Sequence, residues 1–413
     1  MELNIDFVRK QFPALSGDWV FFDNAGGTQI CRQAADRIYD YLLNTNAQLG
    51  ASYDISQRST QRVNEGIGAM AEFINAKEKC EVILGSSTSM LLKILSLSLG
   101  EVFRPGDEVI VTNSDHEANI GPWRSLEKRG IHIKEWRLNP ETLDLHLEDL
   151  EALMTEKTRI VALPHISNIL GTINPIKEVA SFVHERGAMI CVDGVAYAPH
   201  RLVDIRELDV DFYAFSFYKV YGPHYSLLYG KKSHLENMPG INHFFLEDDI
   251  PLRFQPGNVN YELSYGLLGV KDYFTGLAKV HAGGQVVEGL RNSAALAFEI
   301  VAQYEETLSS RLLDFLNSKS NVRIIGKKES DRSLRVPTIS FVIDNVKSSS
   351  IPPQVDKHYI GIKYGDFYAR RLIEDLGLAP QDGVIRVSMV HYNTIEEIDR
   401  LIKIFEPLGE GTL

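Results

Sequence analysis

The sequence has few cysteines, no excess of positive charge and no long hydrophobic run. Its three cysteines (Cys31, Cys80 and Cys191) are far apart and form no CxxC pair, which argues against a disulfide framework or a zinc site and fits a reducing compartment. The net charge is −12, from 43 basic and 55 acidic residues. Because nucleic-acid binding requires a positive surface, no nucleic-acid partner is expected.

Targeting and membrane segments are also lacking. The first residues, MELNIDFVRKQFPAL, carry charges within every apolar stretch, so no secretory signal peptide is predicted. The longest apolar run, MLLKILSLSLG, is too short and too polar to span a bilayer. We therefore expect a cytoplasmic protein with no membrane partner.

Three common catalytic motifs are absent. No GxGxxG follows a predicted strand, no GxxxxGK[ST] is found, and there is no HExxH. These absences argue against a dinucleotide site, a nucleoside triphosphate site and a zinc-protease site, respectively. No metal site is predicted.

Short β-rich runs alternate with helical stretches between about residues 80 and 230. The runs are EVILG (81–85), DEVIVT (107–112), TRIVALP (158–164), AMICVD (188–193), DFYAFS (211–216) and SLLYG (226–230). Such alternation indicates an α/β fold, with a mostly parallel sheet flanked by helices. Several runs lack an apolar/polar alternation, as expected for strands that are buried on both faces.

The pattern changes after about residue 265. Two long helical stretches (263–281 and 284–318) precede the runs VRIIG, VPTISFVI and VIRVSMV, with further helices predicted at 365–377 and 395–406. At 413 residues, the chain is long enough for two domains. We predict a large domain at 19–265 and a smaller α+β domain formed by 266–413 together with 1–18.

Polar side chains follow the predicted strands of the large domain, and ligands of open α/β sheets bind beyond the carboxyl ends of the strands. SSTS follows EVILG and opens a helix, where free backbone N–H groups suit a phosphate. The other runs lead to His116, Asn168, Asp193 and Lys219. A phosphate site, a flat ring, an amide, a carboxylate and a lysine are the groups that pyridoxal 5′-phosphate requires.

Seven segments carry a resemblance to a known family. They are FFDNAGGTQ (21–29), SDHEAN (114–119), HISNILGTINPI (165–176), VDGVAYAPH (192–200), FSFYKVYGPHYSLLYG (215–230), RFQPGNVNYE (253–262) and VIRVSMVHYNTIEEID (384–399). In this order, over nearly the whole chain, they resemble the aminotransferase class V enzymes of fold type I, and especially the cysteine desulfurase-like branch. The resemblance implies a pyridoxal-phosphate-dependent homodimer that acts on a small-molecule amino acid.

The resemblance assigns roles to the central residues. Lys219 would be the Schiff-base lysine, Asp193 would pair with the pyridinium nitrogen, and His116 would stack on the ring. Asn168 would approach the ring hydroxyl or the substrate, and Arg386 would bind the substrate α-carboxylate as a bidentate fork. Each also has a structural alternative. Lys219 could be a surface lysine, Asp193 a helix cap and His116 a loop histidine. Asn168 could form a turn, and Arg386 could belong to a structural ion pair.

The resemblance also assigns the phosphate contacts. Ser87, Thr88 and Ser216 would hold the phosphate, with helix capping as the alternative. Asn258 stands where the family often has a threonine that reaches the phosphate of the neighbouring subunit. Tyr218 replaces the family's histidine before the lysine and retains a hydroxyl that can donate to a phosphate.

Two further departures from the family concern the reaction itself. The family's glutamine after the VDG segment is Ala196 here, so a contact to the ring oxygen is lost or is supplied otherwise. Desulfurases carry a nucleophilic cysteine in a mobile loop of the small domain, but the matching stretch GIKYGDFYARRL (361–372) has none. A persulfide-forming reaction by the usual route is therefore not expected.

A few other polar residues are weaker candidates. Tyr364, Asp366 and Tyr368 fall in the loop that lacks the cysteine and are either solvated loop residues or substrate contacts. Arg253 and His200 are likewise either structural residues or substrate contacts.

The leading functional hypothesis is a reaction on a cysteine-type amino acid through an external aldimine and an α-carbanion. The carbon–sulfur bond would be broken by β-elimination or desulfination, with Lys219, His116 and Asp193 as catalytic residues. An aminotransferase or epimerase is the first alternative, because the same residues serve those reactions. A non-catalytic binding protein on the same scaffold is the second.

Overall fold

The computed structural model describes residues 2–406, and its secondary structure alternates as the sequence predicts. The strands, in chain order, are β1 (Val20–Phe21), β2 (Val82–Gly85), β3 (Glu108–Thr112), β4 (His132–Trp136), β5 (Thr158–Pro164), β6 (Met189–Asp193), β7 (Phe212–Ser216), β8 (Ser226–Gly230), β9 (Val322–Ile325), β10 (Thr338–Ile343), β11 (Ile360–Gly361), β12 (Lys363–Gly365) and β13 (Val384–Ser388). The helices are α1 (Ile5–Lys10), α2 (Arg32–Asn44), α3 (Asp54–Phe73), α4 (Thr88–Val102), α5 (Gly121–Arg124), α6 (Leu147–Leu153), α7 (Ile176–His184), α8 (Ile205–Leu208), α9 (Lys232–Asn237), α10 (Tyr261–His281), α11 (Leu290–Asn317), α12 (Pro352–Val355), α13 (Arg370–Asp375) and α14 (Ile395–Phe405).

A seven-stranded sheet forms the centre of the large domain. Its strand order is β2-β8-β7-β6-β5-β3-β4, and all neighbours are parallel except those that involve β8. Successive residues of a strand enter opposite core clusters, as Val109 and Ile110 of β3 do. Both faces are therefore covered, which explains the continuous apolar runs in the sequence and confirms the predicted α/β class.

A second, antiparallel sheet has the order β12-β13-β10-β9 and packs with the C-terminal half of α11 and with α14. A short parallel pair, β1 with β11, joins the beginning of the chain to this part. The sheet brings Arg386 of β13 next to the segment that follows β5. The second sheet therefore closes one side of the site.

The core changes within α11 rather than at residue 265. Residues of α10 and the first half of α11, up to Val301, belong to the core of the large sheet, and the core of the small sheet begins at Leu308. One reason is Gly269 of α10, where a Cβ would lie 2.2 Å from the backbone nitrogen of Ala34, so that α10 and α2 pack in close contact. The distribution of core residues therefore differs from the predicted division after residue 265.

The N-terminal segment also packs with the large sheet's core. Leu3, Val8 and Phe12 are buried there, and the Phe12 ring meets those of Tyr221 and Tyr273 at centroid distances of 5.7 and 5.2 Å. It also contacts the C-terminal part of the chain, where the Phe12 ring lies 4.9 Å from that of Tyr392 and Arg9 pairs with Glu397 of α14 at 2.8 Å. Residues 1–18 thus contact parts of 266–413 and also share the core of the large sheet, and their assignment to the smaller domain remains a prediction.

Membrane and metal features were searched in the same residues. Every helix between residues 2 and 406 is too short or too polar to cross a lipid bilayer. Over that range, no group of three or more histidine, cysteine, aspartate or glutamate side chains is arranged to hold a metal ion.

Candidate active site

A cavity of about 530 Å³ lies at the carboxyl ends of β3, β5, β6 and β7. Eight of the ten predicted site residues line it, and Arg386 and Asn258 do not. The lining residues are Ser87, Thr88, Ser89, Asp115, His116, Ala118, Ile166, Asn168, Asp193, Val195, Ala196, Ser216, Tyr218 and Lys219. Parallel strands bring these side chains together because their carboxyl ends meet at one edge of the sheet.

Lys219 ends a short 3₁₀ turn that follows β7, and its side chain is only 8% exposed. Burial lowers its pKa to about 8, and the nearby positive charge of Arg386 acts in the same direction. Asp193 and Asp23 partly oppose the shift. About a tenth of the amine is therefore neutral at about pH 7, far more than for an ordinary lysine, and the neutral amine is the form that acts as a nucleophile or a base.

Asp193 is the last residue of β6 and accepts a hydrogen bond from the backbone N–H of Val195 at 2.8 Å. Burial raises its pKa to about 6, while the Val195 N–H and Lys219 act in the opposite direction. Burial and the charge of Asp193 also raise the pKa of Asp115 well above its ordinary value. The neighbouring acid, Asp115, therefore favours its protonated form, and a cationic ring nitrogen would be the natural partner of Asp193.

His116 lies in the cavity wall after β3. Its Nδ1 accepts the backbone N–H of Ala118 at 3.0 Å, which leaves the proton of the neutral ring on Nε2. Burial lowers its pKa to about 4, with Lys219 and Arg386 contributing. His116 therefore presents a neutral flat ring, as stacking on a cofactor ring requires.

Hydroxyl groups line the end of the cavity at the start of α4. Ser87 caps the helix by accepting the Met90 N–H at 3.2 Å, which is the capping role that was the structural alternative to phosphate binding. Thr88 Oγ1 lies 2.7 Å from Ser216 Oγ, which in turn lies 2.8 Å from Ser226 Oγ. The hydroxyls and the positive end of a 15-residue helix make this end suitable for a phosphate.

Asn168 and Arg386 meet beside the cavity. Arg386 donates from Nη1 to the Asn168 carbonyl at 3.1 Å and from Nη2 to Asp23 at 2.9 Å. Asn168 donates from Nδ2 to the Phe367 carbonyl at 2.8 Å. In residues 2–406, Asn168 Oδ1 and Arg386 Nε are buried without a hydrogen-bond partner. These atoms can take a donor and an acceptor from a bound ligand.

Arg386 is not the open fork that the sequence suggested. Its side chain is 2% exposed, and the Phe367 ring lies over the guanidinium, 3.6 Å from Cζ to the ring centroid. Asp23, which lies in the first of the seven motifs, accepts a hydrogen bond from one of the guanidinium nitrogens of Arg386. Sequence reasoning missed both partners, because residue types alone report neither the contact with Asp23, 363 positions away, nor the way the loop before α13 folds back over Arg386.

Residues 366–368, which we name the capping segment, lie over this junction. Phe367 and Tyr368 have φ values of 49° and 62°, a left-handed conformation that costs non-glycine residues about 1–3 kcal/mol each. The backbone carbonyl of Tyr368 accepts the N–H of Glu117 at 2.8 Å, and its ring lies 5.2 Å from that of His116. Asp366 fixes the turn by accepting the Tyr368 N–H, whereas Tyr364 lies on β12 and is not among the residues that line the cavity.

The remaining candidates have varied surroundings. Tyr218 lines the cavity and stacks on His224 at 4.8 Å, and Ala196 lines it as well. Asn258 is exposed and lines a separate cavity. Arg253 is buried and donates to backbone carbonyls such as that of Met238, at 2.9 Å, so it is structural.

His200 is the other weak candidate, and it lies outside the cavity. It is buried, and its Nδ1 lies 3.0 Å from Oε1 of Glu305 on α11. Its contacts are therefore structural.

The residues present fit pyridoxal 5′-phosphate. The cavity lining offers hydroxyls at the start of a helix, a neutral imidazole, a buried carboxylate and an amine with a lowered pKa. Asn168 lines the cavity and Arg386 is bonded to it, and each has one buried polar atom without a partner that can take one from a bound ligand.

Comparisons with known proteins agree with this geometry. The aminotransferase class V family pattern matches residues 20–401. Aminotransferase-like protein FGM3 of Gibberella zeae is 42% identical over 98% of both chains, and the cysteine desulfurase-like protein ustD of Aspergillus flavus is 33% identical over 96% of this chain and 88% of its own. The apo structure of a cysteine desulfurase from Thermococcus onnurineus NA1 superimposes with a TM-score of 0.86 at 24% identity, over 100% of this chain and 99% of the other.

The chain thus has the fold of the type I pyridoxal-phosphate enzymes, and it belongs to the aminotransferase class V family. Enzymes of this family depend on pyridoxal 5′-phosphate, and so does this one. The predicted family, fold class, cofactor and enzymatic nature are confirmed.

Proposed function

We propose that the protein cleaves the carbon–sulfur bond of a cysteine-type amino acid, by β-elimination or by release of a sulfinate, without forming a persulfide. The observation that carries the proposal is the absence of a reactive thiol beside Lys219. None of the three cysteines of the chain lines the cavity, and the capping segment contains none.

The thiols are also poor nucleophiles where they lie. Burial raises the pKa of Cys31 to about 12 and that of Cys191 well above its ordinary value. Cys80 is half-buried before β2, and burial together with Glu78 raises its pKa. Because the thiolate is the nucleophile, these surroundings argue against a persulfide on any of them.

The side chains of the site would hold the substrate by its polar groups. Arg386 has a free N–H at Nε to donate to the α-carboxylate, and Asn168 has a free acceptor at Oδ1. His116 would cover one face of the bound ring, and Ser87, Thr88 and Ser216 would receive the phosphate. Tyr218 would add a hydroxyl at the same end.

When bound, pyridoxal phosphate would supply an electron-withdrawing ring that stabilises negative charge on the substrate α-carbon. The Nζ of Lys219, which lines the cavity, would accept the α-proton in its neutral form, and the lowered pKa of about 8 makes this form more abundant near neutral pH. Asp193 would keep a buried negative charge opposite the ring nitrogen. In β-elimination, the sulfur group on the β-carbon would then depart with its bonding electrons, and hydrolysis would give pyruvate and ammonia. From cysteine sulfinate, the sulfur would instead leave as sulfur dioxide, which hydrates to sulfite, while the bonding electrons stay on the β-carbon and a proton added there gives alanine. Neither route requires a thiol of the protein.

The proposal is tested by product analysis. The purified protein is supplied with pyridoxal phosphate and with cysteine, cysteine sulfoxides or cysteine sulfinate, and sulfide, sulfite, pyruvate and alanine are measured. Lys219→Ala should abolish product, and Cys80→Ser, the matched control at the least buried thiol, should retain it. Absence of all four products with every substrate would refute the proposal, and loss of activity in Cys80→Ser would favour the persulfide route.

Transamination is a second candidate, because the Gibberella zeae relative is named as aminotransferase-like. The same lysine and carboxylate would serve it, with proton return to a different carbon. A keto acid formed in a single turnover without sulfur release would favour transamination. Exchange of the α-deuterium without product would favour an epimerase.

We also propose a homodimer. Asn258 is exposed beside a cavity of about 660 Å³ that includes Gln255, Tyr225 and Met90, and the last of these is 52% exposed. If a neighbouring subunit packed on this face, Asn258 would lie close to the phosphate site of that subunit. Light scattering of the purified protein should give about twice the chain mass of 46.5 kDa, and a monomer would contradict the proposal.

A further inference from the structure

The guanidinium of Arg386 is covered on one face by the ring of Phe367. The distance from Cζ to the ring centroid is 3.6 Å, and Arg386 is 2% exposed. An aromatic ring that lies over a guanidinium attracts the positive charge and removes water from that face. It leaves the N–H groups free, because these point outward in the plane of the guanidinium.

Two of the three guanidinium nitrogens of Arg386 have hydrogen-bond partners. Nη1 donates to the Asn168 carbonyl and Nη2 to Asp23, so the fork cannot turn without losing two hydrogen bonds. Within residues 2–406, the Nε of Arg386 is buried and has no hydrogen-bond partner. The two hydrogen bonds and the ring on the adjacent face therefore fix the plane in which Nε can donate.

Hydrogen bonds to the large domain fix the backbone of the capping segment, and with it the position of Phe367. The carbonyl of Phe367 accepts the side-chain N–H of Asn168 at 2.8 Å, and the next carbonyl, of Tyr368, accepts the backbone N–H of Glu117 at 2.8 Å. A left-handed backbone at both positions is maintained against its cost by these bonds. The contact with Arg386 thus belongs to a built arrangement rather than to a freely rotating side chain.

We propose that Phe367 is a positioning residue for the substrate α-carboxylate. Its ring orients the Arg386 fork and keeps the pair of guanidinium and carboxylate dry, so that amino acids are bound in preference to amines that lack the carboxylate. The proposal rests on the proposed function, in which Arg386 binds that carboxylate.

The test compares two ligands that differ only by the carboxylate. The cofactor-loaded protein is titrated with L-alanine and with ethylamine, and binding is followed by the absorbance of the bound cofactor. Phe367→Ala should weaken L-alanine binding by about tenfold to thirtyfold, the magnitude of a desolvated cation–π contact, and should change ethylamine binding by less than about twofold.

Conservative variants distinguish a positioning role of the Phe367 ring from a general disruption of the capping segment. Phe367→Tyr keeps the ring and should restore binding of L-alanine to near the wild-type value. Phe367→Leu fills the space without a π face and should lie between wild type and Phe367→Ala. Tyr364→Ala, which removes an aromatic ring from the adjacent strand β12, is the matched control and should bind both ligands like wild type.

The outcomes distinguish this inference from the proposed function. If the wild-type protein prefers L-alanine and Phe367→Ala keeps that preference, the role of Phe367 is refuted while that of Arg386 stands. Tighter binding of L-alanine by Phe367→Ala would show that the ring blocks Arg386, and would also refute it. If wild type itself shows no preference, or if Arg386→Lys keeps the preference, carboxylate binding at Arg386 fails and this inference fails with it.

Discussion

Arg386 on β13 donates a hydrogen bond of 2.9 Å to the carboxylate of Asp23, which follows β1. The arginine is 2% exposed and the aspartate 33% exposed, so Asp23 compensates a charge that the protein has removed from water. A buried charge that loses its partner is strongly destabilising. The negative charge of Asp23 therefore compensates the buried positive charge of Arg386 when no substrate anion is bound.

Asp23→Asn should therefore destabilise the cofactor-free protein. The amide keeps the shape and one acceptor but removes the negative charge, and we expect a loss of about 1–3 kcal/mol in the free energy of unfolding. Denaturant unfolding measures it. Asp272→Asn is the control, because its pair with Arg37 is 37% and 30% exposed and should contribute below about 1 kcal/mol. Equal effects of the two substitutions would contradict the prediction.

Asp193→Asn should stabilise the cofactor-free protein at alkaline pH. The pKa of Asp193 in the folded protein is about 6, above its ordinary 3.8, so the folded state binds more protons between these values. Its favourable contribution is present below about pH 4 and is lost as the pH rises through about 6. At about pH 8 we therefore expect Asp193→Asn to be more stable by about 2–3 kcal/mol, and at about pH 4 to equal wild type.

The measurement for Asp193 is denaturant unfolding of the cofactor-free protein at both pH values. Asp344→Asn, at an exposed position, should leave stability unchanged at both. A stability gain of the Asp193 variant that is the same at the two pH values would show that its burial, rather than its titration, is responsible.

Much of the fold could be predicted because buried parallel strands give continuous apolar runs. TRIVALP and SLLYG match β5 and β8 to the residue. Strand β4 was missed, because its HIKEW sequence lies at the edge of the sheet and is polar. The two- and three-residue strands β1, β11 and β12 carry no periodic signal at all.

The site could be predicted where a residue follows a strand, as Lys219 and Asp193 do. Asp115, Asp23 and Phe367 were not assigned roles. The pKa of Asp115 is raised by its own burial and by the charge of Asp193, while Asp23 contacts Arg386 from 363 positions away in the chain and Phe367 contacts it from a different strand-flanking loop. Such contacts depend on how the small sheet packs against the large one, which local patterns do not report.

The reactivity of Lys219 should follow a pKa of about 8. The amine reacts when it is neutral, so the rate of pyridoxal phosphate uptake by the cofactor-free protein should rise with pH and reach half of its maximum near pH 8. Arg386→Met removes a positive charge that lowers this pKa, and the midpoint should therefore move upward. Uptake is followed by absorbance. A midpoint near the ordinary lysine value in the wild-type protein, or a downward movement in Arg386→Met, would contradict the prediction.

Glu305 should be the most sensitive acidic residue of α11. It is fully buried where the core changes from the large sheet to the small one, and it binds His200 at 3.0 Å and Arg201 at 3.2 Å. Arg201 in turn donates to the carbonyl of Arg332 at 3.1 Å, so the cluster ties the end of the VDG segment to the chain before β10. Glu305→Gln leaves the Arg201 charge without its counterion, and the expected loss is about 3 kcal/mol.

Glu299→Gln on the same helix is the matched control for Glu305. Its pair with Arg332 has a distance of 3.1 Å, but the glutamate is 66% exposed, so water screens the interaction and the expected loss is below about 1 kcal/mol. Thermal unfolding of both variants gives the comparison. Because Glu305 lies outside the cavity, the Glu305 variant should still bind pyridoxal phosphate at temperatures below its unfolding transition. If it bound none while folded, the cluster would have to act on the site through the packing of the two sheets rather than on stability alone.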